Sequence, residues 1–293
     1  MRLSTGVPGL DELLGGGLLP GTLTVVVGAT GIGKTQLGLQ FAEAGAKQEG
    51  RRGVLFDMSS RGDSQSHVEY AQRMFDWPIN PVHSEREATP EEIYDAASPL
   101  GDYLRVFEYS GRRVTRRDLG MEAWQDWQAE LAKKLGVTIG FFYRHFLRGV
   151  RRAVIDGIEP VDRPSDSIQF ELFEYVYHQI LRKDPDWVAR DLLREHYREY
   201  AAQAAAQSYA SNAIGCVLLY TTHETMLERL IDRPLDEGDI LSNANTVILM
   251  GKLRDGLKTT RALYIPKHRG SAAAEGLFEF EIGEQGLRVK PSA

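Results

Sequence analysis

A glycine-rich segment between an apolar run and a helical pattern carries the clearest chemistry in this sequence. Residues 28–35 match the pattern G-x-x-x-x-G-K-[ST] at every required position. Glycines let such a loop curl until successive N–H groups point at phosphate oxygens, and the helix that follows adds the positive end of its dipole. The pattern predicts that Lys34 reaches the β- and γ-phosphates of a nucleotide and that the Thr35 hydroxyl coordinates Mg²⁺. The predicted nucleotide-binding residues are Gly28, Ala29, Thr30, Gly31, Ile32, Gly33, Lys34, Thr35 and Gln36.

A second residue with the right chemistry is Asp156, which follows the apolar run at 153–155. An acidic residue at the end of a buried strand commonly holds Mg²⁺ beside such a loop, here through water. An aspartate in this position is also a common helix cap or turn residue. The phosphate loop favours the metal role, so Thr35 and Asp156 are the predicted metal ligands, and Lys34 and Asp156 belong to the predicted catalytic set.

Alternating strand and helix patterns predict the elements that position these residues. A helix over 35–48 follows the loop, and β-branched apolar runs alternate with helical segments, which is typical of βαβ units and a mostly parallel sheet. The predicted fold class is therefore α/β, with helices flanking the sheet and a β-hairpin over 277–289 at its end. The other strands are predicted at 23–27, 54–58, 103–109, 150–155, 215–221, 246–250 and 262–265.

A long helical stretch separates the fourth and fifth predicted strands. Apolar residues recur at helical spacing over 170–181, and Asp184 with Pro185 supplies an N-cap and a first helical position for a second helix. This predicts a helical hairpin inserted at about residues 165–212. It could act as a lid, as a packing element or as a surface for a regulatory protein partner.

Composition narrows the class of protein. The 293 residues carry 35 Lys+Arg against 41 Asp+Glu, a formal net charge of −6, with 42% hydrophobic residues. These values are typical of soluble globular chains and disfavour nucleic-acid binding, which usually leaves a basic footprint. No apolar run approaches the ~18 residues of a membrane span, and the N-terminus lacks the apolar core of a signal peptide, so a cytoplasmic protein without a membrane contact is expected.

Two residue types exclude other chemistry. The single cysteine, Cys216, rules out an internal disulfide and any multi-thiolate metal site. Most of the histidines are scattered without a metal-ligand spacing, so no metal other than Mg²⁺ is predicted. These scattered residues are His67, His83, His145, His178, His196 and His268.

Several of these segments together resemble KaiC-like ATPases of the RecA superfamily. The resemblance is most specific at the N-terminus and continues, in order, over nearly the whole chain apart from the helical insertion and a long segment after the second strand. The segments that carry it are STGVPGLDELLGGG at 4–17, PGTLT at 20–24, the phosphate loop, GVLFDM at 53–58, RAVID at 152–156, TTHE at 221–224 and KHRG at 267–270.

The resemblance implies a RecA-like core, over 1–293 as a single domain, that binds ATP and assembles into homo-oligomeric rings, often hexamers. ATP then lies at subunit interfaces, and the Lys-x-Arg motif, here Lys267 and Arg269, reaches the γ-phosphate held by a neighbouring copy. Such a cation stabilises the charge that builds in the transition state. Two residues apart on a strand, these side chains are expected on one face.

The sequence departs from the family at the two adjacent glutamates that follow the second strand, one of which activates the attacking water. Ser59 and Ser60 stand in these positions, and a serine hydroxyl is a poor general base. Asp57, Asp63 or Glu224 are the candidate substitutes. We therefore expect ATP binding with slow or absent hydrolysis.

Three hypotheses follow from this pattern. The first is a nucleotide-dependent regulatory switch with a weak ATPase activity. The second is a RecA-type DNA-binding recombination accessory, against which the acidic residues of 228–239 argue because they repel phosphates. The third is a structural scaffold that uses nucleotide only to hold its assembly together.

Overall fold

The apolar strand segments assemble into a nine-stranded sheet in the computed structural model, which describes residues 1–59, 67–82, 86–107, 121–158, 167–233 and 240–291. The sheet order is β3-β2-β4-β5-β1-β6-β7-β8-β9. The strands are β1 (Leu23–Ala29), β2 (Val54–Asp57), β3 (Tyr103–Arg105), β4 (Arg152–Ile158), β5 (Gly215–Thr222), β6 (Thr246–Asp255), β7 (Lys258–His268), β8 (Phe278–Gly283) and β9 (Gly286–Val289).

The first six strands in this order pair in parallel, and β7, β8 and β9 extend the sheet with antiparallel pairs. Every residue of β1 and β2 is buried, as expected for parallel strands covered on both faces. The predicted α/β class with a mostly parallel sheet is confirmed, and so is the terminal hairpin, formed by β8 and β9.

Helices cover both faces of the sheet. They are α1 (Leu10–Leu13), α2 (Lys34–Gln48), α3 (His67–Phe75), α4 (Pro90–Tyr94), α5 (Met121–Leu147), α6 (Ile168–Val176), α7 (Pro185–Leu193), α8 (Tyr197–Ala206), α9 (Leu227–Ile231) and α10 (Ile240–Asn243). None of the described helices combines the length and the apolar character that crossing a bilayer requires.

Two apolar clusters lie on opposite faces of the sheet. One contains α2 residues such as Leu37 and Phe41, with the N-terminal segment and the C-terminal hairpin. The other contains Phe142 of α5 and Phe173 of α6, together with Phe56 of β2. Alternate residues of each strand feed the two clusters because successive strand side chains point to opposite faces.

The helical insertion differs from the predicted hairpin. Its described part contains α6, which continues into a π-helical turn at Tyr177–Leu181, followed by α7 and α8. The predicted helix start at Asp184 is confirmed, since its side chain accepts a hydrogen bond from the backbone N–H of Asp186. The break that follows α7, a 3₁₀ turn at Arg194–His196, divides what the pattern suggested was one helix.

The C-terminal hairpin is fastened to α2 beside the phosphate loop. The Gln40 amide donates to the Leu287 carbonyl over 2.9 Å, and the Leu287 N–H donates back to Gln40 Oε1 over 2.7 Å. At the start of the same helix, a Cβ added to Gly33 would lie 2.8 Å from Ile282 Cδ1 of the hairpin. The hairpin thereby walls the loop on one side.

Candidate functional site

The predicted phosphate loop lies between the end of β1 and the start of α2. Gly31 and Gly33 adopt φ values of 76° and 121°, which side chains rarely permit. Thr30 and Gly31 are exposed at the crest of the loop, and Ile32 is buried beneath it. The N-terminus of the 15-residue helix α2 therefore faces the loop, and its free N–H groups form an environment suited to phosphate.

Lys34 is held across this loop and is only 7% exposed. Its ammonium group donates to the Gly28 carbonyl over 2.9 Å and to the Ala29 carbonyl over 3.0 Å. Burial lowers the pKa of Lys34 to about 8, and the charge of Asp156 partly opposes that shift. A triphosphate oxygen is a stronger acceptor than a carbonyl, so an anion at the loop would favour the charged ammonium.

Thr35 and Asp156, the predicted metal ligands, lie together. The Thr35 hydroxyl donates to Asp156 Oδ2 over 3.2 Å, and the other carboxylate oxygen, Oδ1, accepts from the Gly157 N–H over 2.7 Å. A hydroxyl oxygen and a carboxylate are hard ligands of the kind that Mg²⁺ prefers, and it usually keeps several waters. The pair fits a Mg²⁺ ion held partly through water.

The ends of β2 and β4 approach closely at this point. Asp57 pairs with Asp156 in the parallel register, and the Met58 N–H donates to the Asp156 carbonyl over 2.9 Å. A Cβ on Gly157 would lie 2.2 Å from the Ser59 nitrogen, so glycine permits this approach. Two aspartates consequently stand side by side on neighbouring strands.

His67, the first residue of α3, lies between these two aspartates and was not predicted as a site residue. Its Nε2 is 3.0 Å from Asp156 Oδ2, and its Nδ1 is 3.9 Å from Asp57 Oδ2. The imidazole is buried and packs in a tilted orientation 5.4 Å from the Tyr103 ring. No local spacing signals this contact, because it depends on how α3 returns across the strand ends.

The charges in this cluster support one another. Burial alone would lower the pKa of His67, but the hydrogen bond to Asp156 and the negative charge of Asp57 raise it above the ordinary value. Burial would raise the pKa of Asp156, but the hydrogen bond and charge of His67, with the charge of Lys34, lower it overall. The site therefore favours an ionised Asp156.

Asp57 is already occupied on both carboxylate oxygens. Oδ1 accepts from the Ser59 N–H over 2.8 Å and from its hydroxyl over 2.5 Å, while Oδ2 accepts from the Tyr103 hydroxyl over 2.5 Å. These contacts engage both Asp57 and Ser59 in the wall of the site. Ser60 and Asp63 lie outside the described residues.

Glu224 lies at the same edge of the sheet as the phosphate loop, because Thr222 pairs with Ala29 at the end of β5. Its Oε1 accepts from the Met226 N–H over 2.8 Å, a contact that caps the turn before α9. Hydrogen bonding to that N–H lowers the pKa of Glu224, and Arg229, 3.6 Å away, adds to the shift. The described contacts of Glu224 are thus those of a turn residue.

Lys267 and Arg269 lie at the opposite edge. His268, between them in sequence, pairs with Thr246, and Thr246 pairs with Thr24 at the start of β1. Gly28 is four strand residues beyond Thr24, a distance of about 13 Å. The Lys-x-Arg pair is therefore separated from the phosphate loop of its own chain.

The two side chains of this pair differ in their surroundings. The Lys267 ammonium donates to the carbonyls of Leu241 and Ser242 over 3.2 and 2.6 Å, and its pKa is lowered by burial and by the nearby charge of Arg269. Arg269 is exposed and lies just beyond the end of β7. The strand ends at His268, and the N–H of Arg269, one residue beyond it, donates to the Asn245 carbonyl over 2.9 Å.

Known proteins are similar to this chain over its N-terminal part, which contains the phosphate loop. The family model described as "ATPase: KaiC" matches residues 3–110. The circadian clock oscillator protein KaiC of Rippkaea orientalis is 33% identical over 109 residues, which cover 36% of this chain and 20% of that protein. The circadian clock protein KaiC2 of Synechocystis sp. is 30% identical over 106 residues, covering 35% of this chain and 18% of that protein.

This segment is KaiC-like. The chain spans about a fifth of the length of the clock proteins that it matches. The KaiC-like segment contains the phosphate loop, Lys34, Thr35 and Asp57, whereas Asp156, Glu224, Lys267 and Arg269 lie beyond it. The roles of those later residues therefore depend on their places in the RecA-like sheet.

Proposed function

We propose that this protein is a KaiC-like ATPase-fold protein that binds ATP with Mg²⁺ at residues 28–36. The observation that carries the proposal is the convergence of Thr35 and Asp156, 3.2 Å apart, beside the ammonium of Lys34 at the N-terminus of α2. Lys34 would bind the phosphate oxygens. Thr35 and Asp156 would hold Mg²⁺, which supplies charge neutralisation at the β- and γ-phosphates when bound.

We also propose that hydrolysis is slow. Ser59 occupies a position where KaiC-like proteins carry a glutamate, and its hydroxyl donates to Asp57. Both oxygens of Asp57 accept hydrogen bonds, and Glu224 is engaged in a turn. These contacts leave the site without a described carboxylate poised as a general base, since Asp156 is committed to Thr35 and His67. Phosphate release by the wild type, compared with Lys34→Ala, tests this; robust multiple turnover would contradict it.

Assembly is the next part of the proposal. Lys267 and Arg269 stand about 13 Å along the strands from the phosphate loop of their own chain, which supports a role at the loop of a second copy. A homo-oligomeric ring, with six copies as in many KaiC-like assemblies, would bring the two edges together. ATP would then stabilise a contact between subunits, as expected of a nucleotide-dependent switch.

Light scattering measured without nucleotide, with ADP and with ATP tests the assembly. We expect a larger mass with ATP than without nucleotide. A strict monomer at micromolar concentration with ATP would contradict the ring, and assembly that ignores nucleotide would favour the scaffold hypothesis instead.

The helical insertion is proposed as the surface for a regulatory protein partner. Trp187 of α7 is 57% exposed, with the Arg190 guanidinium 5.2 Å from its ring centre. Exposed Trp and Arg are frequent anchors of protein contacts.

We further propose that 1–293 forms one domain, because Phe142 and Phe173 share an apolar cluster with the strand residue Phe56.

A further inference from the structure

Two carboxylates lie side by side on neighbouring parallel strands, β2 and β4. Asp57 and Asp156 are paired in register at the edge of the sheet where the phosphate loop lies, and Asp57 is fully buried. Two carboxylate charges this close repel each other. A hydrogen-bond donor between the two carboxylates would offset this repulsion and hold them in place.

His67 is that group. It contacts Asp156 over 3.0 Å at Oδ2, the oxygen that also accepts the Thr35 hydroxyl, while Oδ1 accepts the Gly157 N–H. Both oxygens are then engaged, and the plane of the Asp156 carboxylate is fixed by three donors. Because the Thr35 hydroxyl donates its hydrogen bond to Asp156, both lone pairs of its oxygen remain available to a metal ion.

His67 is itself held from behind. Its ring lies against Tyr103, whose hydroxyl donates to Asp57, and Asp57 faces the second ring nitrogen. The 7% exposure of His67 leaves little room for another orientation. The contact to Asp156 is thus part of a continuous chain from β3 through β2 to β4.

We propose that His67 is a positioning residue that orients Asp156 toward Thr35 and thereby sets the Mg²⁺-dependent part of the nucleotide affinity. This inference rests on the proposed function of the phosphate loop. Groups that orient the ligands of a metal ion in this way typically change metal affinity by about 10–100-fold when they are removed.

The opposite role for His67 gives a result of opposite sign. An imidazole that competed with Mg²⁺ for Asp156 would weaken metal binding, and its removal would tighten the Mg²⁺-dependent affinity. A purely structural role would change nucleotide binding equally with and without the metal. The ratio of the two affinities therefore separates positioning from both alternatives.

The experiment titrates the full chain with a fluorescent ATP analogue, once with Mg²⁺ and once with EDTA. We expect His67→Ala to weaken binding about tenfold with Mg²⁺ and to change it less than twofold in EDTA. His67→Gln restores most of the loss, because the Gln amide nitrogen can occupy the position of Nε2. His196→Ala, which removes an exposed imidazole on another element, serves as the matched control and leaves both affinities at the wild-type value.

Equal losses in both buffers, no loss, or tighter binding with Mg²⁺ would each overturn the proposal. If His67→Ala does not fold, the comparison of His67→Gln with His67→Asn decides, because the shorter Asn side chain cannot place a donor at Nε2. The His67→Asn variant must then bind the ATP analogue more weakly than His67→Gln in Mg²⁺, while the two variants bind it equally in EDTA. Wild-type protein that binds nucleotide without any Mg²⁺ dependence would overturn both this inference and the proposed metal site, whereas a Mg²⁺-dependent wild type with an unaffected His67→Ala overturns the inference alone.

Discussion

At the scale of single residues, burial decides which side chains resist a change of charge. His145 of α5 is buried, its Nδ1–H donates to the Phe141 carbonyl over 2.7 Å, and its Nε2 has no partner among the described residues. Burial lowers the pKa of His145 to about 4, with the charges of Arg148 and Arg144 adding to the shift. A protonated imidazole is therefore poorly accommodated in the folded protein.

This predicts an acid-sensitive contribution to stability. The unfolded chain binds a proton at His145 near pH 6.5, and the folded chain only near pH 4, so the unfolded state holds more protons between these values and stability rises with pH there. Lowering the pH from 7 to 5 should therefore reduce the free energy of unfolding by about 2 kcal/mol through His145. Urea unfolding at both pH values measures it.

His145→Phe should remove that part of the pH dependence, since Phe fills a similar volume without a titrating group. His196→Ala, a change at an exposed histidine, is the control and should keep the wild-type dependence. Identical pH dependence in wild type and His145→Phe would contradict the buried neutral imidazole.

The residues of the site were predictable to different degrees. Lys34, Thr35 and the glycines follow from a local spacing whose geometry is imposed by the strand and helix around it. The contact of His67 with Asp156 depends instead on the register of β2 against β4 and on the return of α3. The spacing of residues along the sequence reveals neither the strand register nor the path of α3, so it did not identify His67 as a site residue.

At the scale of elements, Gln40 fastens the C-terminal hairpin to α2. Replacing it by Leu would leave the buried N–H and carbonyl of Leu287 without their partner. Each unsatisfied group costs roughly 1–3 kcal/mol, so Gln40→Leu should lower the free energy of unfolding by about 2–6 kcal/mol in urea titration.

The matched control for this change is Gln203→Leu on α8, where the side chain is exposed. It should alter the free energy of unfolding by less than about 0.5 kcal/mol. Equal effects of the two substitutions would show that the hairpin does not depend on the Gln40 contact.

Arg152 joins three elements from the start of β4. Its fully buried guanidinium donates to both Glu49 oxygens, to the Ser4 carbonyl and to the Phe41 carbonyl. Arg152→Met would leave the buried Glu49 carboxylate uncompensated, which typically costs about 3–5 kcal/mol. Chemical unfolding of the purified variant measures the loss.

Two companion variants make that prediction specific. Arg152→Met combined with Glu49→Met should be less destabilised than Arg152→Met alone, because no unpaired charge remains. Arg190→Met, which breaks an exposed pair with Asp186, should cost less than about 1 kcal/mol. A double variant weaker than the single one would refute the role of the unpaired charge.

Strands were predicted better than helices. Each predicted strand has a counterpart, because short β-branched runs between turn residues leave few alternatives. The 27-residue helix α5 was not anticipated, and the division between α7 and α8 was missed. Phe142 of α5 packs onto Phe56 of β2, and a tertiary contact of this kind is not visible in the local sequence pattern.

At the scale of the whole molecule, the proposed ring would join groups that lie at opposite edges of the sheet. The phosphate loop, Thr35 and Asp156 lie at one edge, and Lys267 and Arg269 at the other. A cation presented to the γ-phosphate by a neighbouring subunit can raise the rate of transfer by 10³-fold or more in general. We therefore propose that any hydrolysis occurs between copies.

Mixing variants tests this division. Arg269→Ala should lower the slow phosphate release at least about tenfold, and so should Lys34→Ala. In a mixed assembly the Lys34→Ala subunits still present Arg269 to intact loops, so the mixture should release more phosphate than either variant alone. A mixture no more active than its components would contradict the contact between subunits.

Calorimetric titration of the wild type, Lys34→Ala and Lys47→Ala tests most directly whether the loop at 28–36 binds ATP with Mg²⁺. Lys47 is exposed near the other end of α2, about 20 Å from Lys34, and is the matched control. We predict that Lys34→Ala weakens ATP binding about tenfold or more, while Lys47→Ala binds like the wild type. Wild-type protein that shows no Mg²⁺-dependent binding of ATP, or a Lys34→Ala variant that binds as tightly as Lys47→Ala, would contradict the proposed ATP site.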